Sequence, residues 1–154
     1  MRKFKLIGLT GLFVCMFTLS SCSSDNNKDD FKTNIVGLWE TTHTSGYTYD
    51  DTEERNIISV DKDLTGKDQE RILLKGNGTY KEYYYLESSD SWYGSIYDTG
   101  NYEVSRNKIY LYDSKGNIED IYTIISLTGN TAIIEYTLEE GPHYTGRITL
   151  KKVE

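Results

Sequence analysis

The sequence predicts an all-β protein, an antiparallel up-and-down β-barrel of about eight strands that follows a cleaved lipoprotein signal peptide. Three observations carry this reading. From Ile35 onward, short runs of alternating apolar and polar residues are separated by turn residues. The composition favours sheets, with 14 Tyr and 2 Trp against a single Pro. No part of the domain has the period of a long helix. A meander of this size most simply removes its exposed edges by closing on itself.

Residues 1–21 read as the signal. Arg2, Lys3 and Lys5 supply a positive start, and an apolar run extends from Leu6 to Leu19. That run falls short of the roughly 20 residues of a membrane span. Leu19, Ser20 and Ser21 then form a lipobox before Cys22, the expected lipid-attachment point. The thiolate takes a diacylglycerol, the peptidase cuts before it, and the two small residues fit the peptidase's narrow site. Residues 22–34 read as the acylated Cys and a flexible acidic tether, because residues 23–30 contain nothing apolar to bury. Asp25, Lys28, Asp29 and Asp30 in this tether resemble the surface-export signals of one group of gut-dwelling bacteria; a solvated spacer is the other reading. Ser23, rather than Asp, follows Cys22, so the expected location is the outer membrane, with the tether favouring its outer face.

Cleavage before Cys22 leaves 133 residues carrying 14 basic and 24 acidic side chains, a formal charge of −10. Such a surface repels phosphate backbones and offers no polybasic patch, so nucleic acid is not an expected partner. The membrane is reached through the lipid on Cys22 alone. Cys15 lies in the signal, so no thiol remains for a disulfide and stability must come from packing.

The barrel occupies residues 35–154. Strands are expected near 35–43, 55–60, 70–75, 79–87, 97–104, 108–112, 119–127, 131–138 and 144–153. Gly76-Asn77-Gly78, Lys115-Gly116-Asn117 and Gly129-Asn130 supply the residues that tight reversals demand, and Arg106-Asn107 and Glu140-Gly141-Pro142 close two more. Two longer links, 45–54 and 88–95, interrupt the meander and carry Tyr47, Tyr49, Trp92 and Tyr93. They are expected at the barrel mouth, with Trp92 either exposed to a ligand or folded onto its own loop.

Gly37-Leu38-Trp39 opens the first strand as the Gly-x-Trp motif opens it in lipocalins. Gly76 to Tyr80, Gly100 to Val104, Asn107 to Leu111, Ile125 to Thr128 and Gly146 to Leu150 follow in the order of small lipocalin-like bacterial lipoproteins. The chain resembles that family over nearly the whole mature domain. The resemblance implies that Gly37 and Trp39 form a barrel-end motif, with Trp39 plugging the closed end beneath a basic side chain near the last strand. Arg147 alternates opposite to Ile148 and Leu150 and should face outward; Lys151 and Lys152 are closer in register.

Chemistry-bearing motifs are few. Residues 61–68 place oxygen ligands as a calcium loop does, but Ile72 stands where its bidentate Glu belongs. His43 and His143 are the only histidines, and no nucleophile-elbow pattern exists, so no catalytic residue, metal or cofactor is assigned and an enzyme is not expected. Alternation groups Thr41 and His43 with Trp39, Tyr84 with Tyr80 and Glu82, Tyr102 with Val104, and Tyr136 with Ile134 and Leu138. His43, Tyr84, Tyr102 and Tyr136 are therefore the candidate ligand-lining residues, reached between the two long links. An inward Glu82 implies a wet cavity or a bulge that turns it out. The expected function is a binding module for a small neutral or amphipathic ligand or an envelope partner. The alternatives are a structural or inhibitory protein with a filled barrel, or an enzyme using cavity carboxylates. Cys22→Ser should leave an unprocessed precursor and abolish retention in the membrane fraction, read by fractionation and immunoblotting.

Overall fold

The computed structural model describes residues 27–50, 56–94, 98–139, 141 and 143–153. Leu19, Ser20, Ser21, Cys22 and Asp25 lie outside the described residues, as do Asp51, Glu53 and Glu54 and the side chains of Lys28, Asp29 and Asp30. The elements are α1 (Asn27–Asn34), β1 (Gly37–Tyr49), β2 (Ile57–Asp63), β3 (Glu70–Leu74), β4 (Thr79–Leu86) and β5 (Ser91–Tyr93). They continue with β6 (Thr99–Ser105), β7 (Lys108–Tyr112), β8 (Ile118–Leu127), β9 (Thr131–Thr137) and β10 (Thr145–Val153).

All pairings are antiparallel, and β10 returns to β1, so the sheet closes into an up-and-down barrel. Ten strands make eight staves, because two staves are each built from two segments. β3 pairs with Gly37 to Glu40 of β1, while β2 lies end to end with it against His43 to Tyr49. Between them the chain leaves the ladder through a 3-10 turn at Gly66–Asp68. Thr41 holds the β3 side of this excursion, its Oγ1 accepting from Glu70 N at 2.8 Å and its carbonyl from Gln69 Nε2 at 3.2 Å, while Leu64 N donates to Thr42 O at 2.9 Å on the β2 side. In the same way β5 and β6 share one edge of β4, and Glu82 N donates to Asp98 O at 2.9 Å between them.

Three features differ from the sequence expectation. β5 pairs with Tyr84 to Leu86 of β4 inside 88–95, which had read as a link. β1 continues through Ser45 to Tyr49, which had read as the start of a long link; pairing with both β2 and β10 outweighs the weak strand preference of its polar and glycine residues. A helix, α1, occupies 27–34, where a flexible tether was expected. Its sequence has no apolar stripe, so tertiary docking holds it: Phe31 packs on the core and Ile35 N donates to Phe31 O at 3.0 Å.

That docking builds the closed end. Trp39 and Ile35 are fully buried, and Trp39 Nε1 donates to Ile35 O at 2.6 Å. Lys152, paired with Trp39 across β10 and β1, sets its Nζ 5.2 Å from the Trp39 ring centroid and 3.5 Å from Asn34 O. Lys152, not Arg147, is the basic side chain over the plug; Arg147 pairs with Glu135 at 2.9 Å on the outer wall. Gly37 sits at φ +145°, and a Cβ there would run into the Lys152 side chain. The glycine of the motif is thus the space through which the lysine reaches the tryptophan. Above the plug, Leu74, Tyr80, Ile109, Leu111, Ile124, Ile134 and Leu150 fill the lower barrel.

Trp92 lies on the outer wall, its ring 3.9 Å from the Arg71 guanidinium carbon and edge-on to Tyr85. Trp39→Ala should therefore cost about 3–5 kcal/mol, whereas Trp92→Ala removes a surface stack worth about 1 kcal/mol. Chemical denaturation of both variants checks this, and equal losses would remove Trp39 from its role as plug.

Candidate functional site

The upper barrel is less well closed than the lower. β8 pairs with β9 only from Thr123 to Leu127, so residues 118–122 of β8 bond to β7 alone and residues 136–137 of β9 to β10 alone. The two strands part at this seam. A cleft of about 1420 Å³ opens there, bordered by Thr48 and Tyr49 of β1, Glu119 and Asp120 of β8, and Tyr136 of β9. It shares Tyr122 and Ile148 with a smaller cavity of about 60 Å³ deeper in the barrel. Ile109, Leu111, Ile134 and Leu150 wall that cavity, and Thr41, Glu70 and Glu82 bring polar atoms to it.

Strand alternation explains the carboxylates. Glu70 shares a face with Ile72 and Leu74, Glu82 with Tyr80 and Tyr84, and Asp120 with Tyr122 and Ile124, so each acid sits above buried apolar neighbours of its own strand. Burial pushes the Glu82 carboxyl up to about 7, helped by the negative charges of Glu70, Asp120, Glu119 and Asp98. Burial also raises Glu70, and it raises Asp120 together with the charge of Glu119. The tyrosines respond in the same sense. Tyr84 is pushed up to about 12, by burial first and then by Glu82. Tyr122 is raised by burial and Asp120, and Tyr80 by burial and by its hydrogen bond to Glu119 Oε2 at 2.7 Å. No lysine, arginine or histidine among the described residues forms an ion pair with Glu70, Glu82, Glu119 or Asp120. The chamber is apolar below, phenolic on its flanks and negative at its neck.

The four residues expected to line a ligand are not brought together. Tyr136 borders the cleft, its hydroxyl donating to Tyr47 O at 3.0 Å, and its ring covers Gly146, where a Cβ would collide with it. Tyr84 lies on the inner side of β4 next to Glu82. Tyr102 is at the opposite end: it packs on the core and its hydroxyl donates to Lys75 O at 2.8 Å in the β3–β4 turn, beneath the barrel. His43 faces outward, because a bulge between Thr41 and His43 breaks the alternation that had placed it beside Trp39. It is held on the outer wall between Asp63 and Asp61, each 3.0 Å from a ring nitrogen, and the Asp63 hydrogen bond leads in raising its pKa. These two aspartates of the calcium-like segment therefore serve β1–β2 pairing. Among the described residues no three His, Cys, Asp or Glu are arranged to hold a metal ion.

Access also differs from expectation. The β8–β9 seam opens the chamber, and only the end of β1 borders it from the two long links; Trp92 and Tyr93 lie away from it. Glu82 was legible as an anomaly of alternation. Glu70, Asp120 and Tyr122 could have been found from the same period, but the splay of two bonded strands leaves no mark in a sequence.

No family model and no curated protein matches the chain. Among solved structures it is similar to the crystal structure of major allergens, Per a 4 from cockroaches, at 16% identity with a TM-score of 0.48, over 77% of this chain and 66% of that chain.

Because Glu82 holds its proton more tightly in the folded chain, stability falls as pH rises from the ordinary 4.5 toward 7. Glu82→Gln removes this penalty. It should stabilise the domain by about 1–3 kcal/mol at pH 8 and change it little at pH 4.5, measured by urea denaturation at both values. An equal effect at both would place Glu82 in solvent.

Proposed function

We propose that the chain is a lipid-anchored cell-envelope lipoprotein of the outer membrane whose lipocalin-like barrel is a non-enzymatic binding module for a small neutral or amphipathic ligand. The observation that carries the binding reading is the cleft of about 1420 Å³ beside a smaller cavity with which it shares Tyr122 and Ile148. Small-molecule sites occupy about 300–1,000 Å³, so the cleft has the room that the packed base lacks. Anchoring is supported by Leu19, Ser20 and Ser21 before Cys22, and display on the outer face by the acidic tether. The resemblance to small lipocalin-like lipoproteins supports both parts.

One observation favours the second reading, a filled barrel acting through its surface as a structural or inhibitory envelope protein. The deep cavity, at about 60 Å³, holds only a few water molecules, and Ile118, Ile121 and Ile125 of β8 are exposed. Native mass spectrometry of the chain released gently from envelopes separates the two. A retained small molecule, with NMR shifts on its removal centred on Tyr122, Tyr136 and Ile148, is expected. A ligand-free protein whose shifts respond only at the outer face of β8, on addition of an envelope protein, would favour the second reading.

A further inference from the structure

We infer that the ligand is a small organic amine, its ammonium group seated at Glu82 in the deep cavity and its apolar tail lying in the cleft against Tyr122, Ile148 and Tyr136. The inference rests on the reading of the barrel as a ligand-binding module.

The dimensions set the orientation. The deep cavity, about 60 Å³, accepts a head group and the carbon beside it but not a ring, whereas the adjoining cleft, which shares Tyr122 and Ile148 with it, accepts a tail of many atoms. The lining sets the charge. Glu82 lines the cavity with Ile109, Leu111, Ile134 and Leu150; Arg71 lines it too but is ion-paired with Glu40 at 2.6 Å, so among the described residues no cation pairs with Glu82. A half-buried carboxylate beside other carboxylates is costly to ionise, and an arriving ammonium group supplies the missing counter-charge. An ammonium group also donates up to three hydrogen bonds, which a carboxylate accepts and an aliphatic wall cannot. In the cleft lining Glu119, Asp120 and three further carboxylates outnumber the one cation, Lys108, an excess that adds attraction for an ammonium group and repels an anion. Tyr122 and Tyr136 offer ring faces to an apolar or aromatic tail. Neutral ligands gain the tail contacts only.

Three probes that share a phenethyl tail test the charge and the tail separately: 2-phenylethylamine, 2-phenylethanol and 3-phenylpropanoate, each titrated into the full-length chain by isothermal calorimetry at pH 8. The amine should bind at least ten-fold more tightly than the alcohol, and the carboxylate not measurably. Glu82→Gln should bring amine and alcohol to within about three-fold while alcohol binding persists, with circular dichroism confirming the fold of the variant. Should the alcohol match the amine, the inference fails and the binding-module reading stands. Retention of the amine's advantage by Glu82→Gln would likewise overturn the assignment of the ammonium site to Glu82. Binding of none of the three probes would remove the inference, and a ligand-free protein in the native mass spectrum would then remove the reading beneath it.

Discussion

The barrel depends on the contact between Trp39 and the turn that precedes it. The indole N–H donates to Ile35 O, so the largest side chain in the core carries no unsatisfied polar atom, and the same bond ties the end of α1 to the first strand. Lys152 then closes the ring from the last strand, spanning the Trp39 face and Asn34 O. First strand, last strand and helix meet at one residue. A sheet must close somewhere, and here the closure of β10 onto β1 is reinforced where both strands are covered from below.

From this filled base the barrel changes character upward. The lower staves are apolar inside, whereas the upper ones carry acids on the same inner face and part at the β8–β9 seam. The two changes belong together. Carboxylates cannot be packed tightly against one another without counter-ions, and a wall whose strands part admits the water that keeps them tolerable. The packed core is concentrated below and solvent access above.

Much of this order is visible in the amino acids. Hairpin chemistry at Gly76 to Gly78 and Gly129-Asn130 and the two-residue period place nearly every strand, and the Gly37–Trp39 spacing marks the closed end. The misses share a physical cause: period-two reasoning assumes an unbroken ladder. One bulge after Thr41 sends His43 to the outer wall. Pairing geometry puts Tyr102 below the barrel although its alternation with Val104 is read correctly. α1 escapes notice because docking of Phe31 and Ile35, not an amphipathic pattern, holds it. Local sequence reports which way a side chain points relative to its neighbours, but not the height along the barrel at which it points.

The split between β8 and β9 has a kinetic meaning. In a fully bonded barrel a molecule can reach the interior from the side only by rupturing ladder hydrogen bonds, and its rate of passage is then chained to local unfolding. Here the upper part of β8 is bonded only to β7 and the corresponding part of β9 only to β10. Each strand leans on its own neighbour, and the aperture between them widens by flexing two intact hairpins. Opening the wall at this seam therefore costs no ladder hydrogen bond between β8 and β9, and access to the chamber is uncoupled from the stability of the packed base.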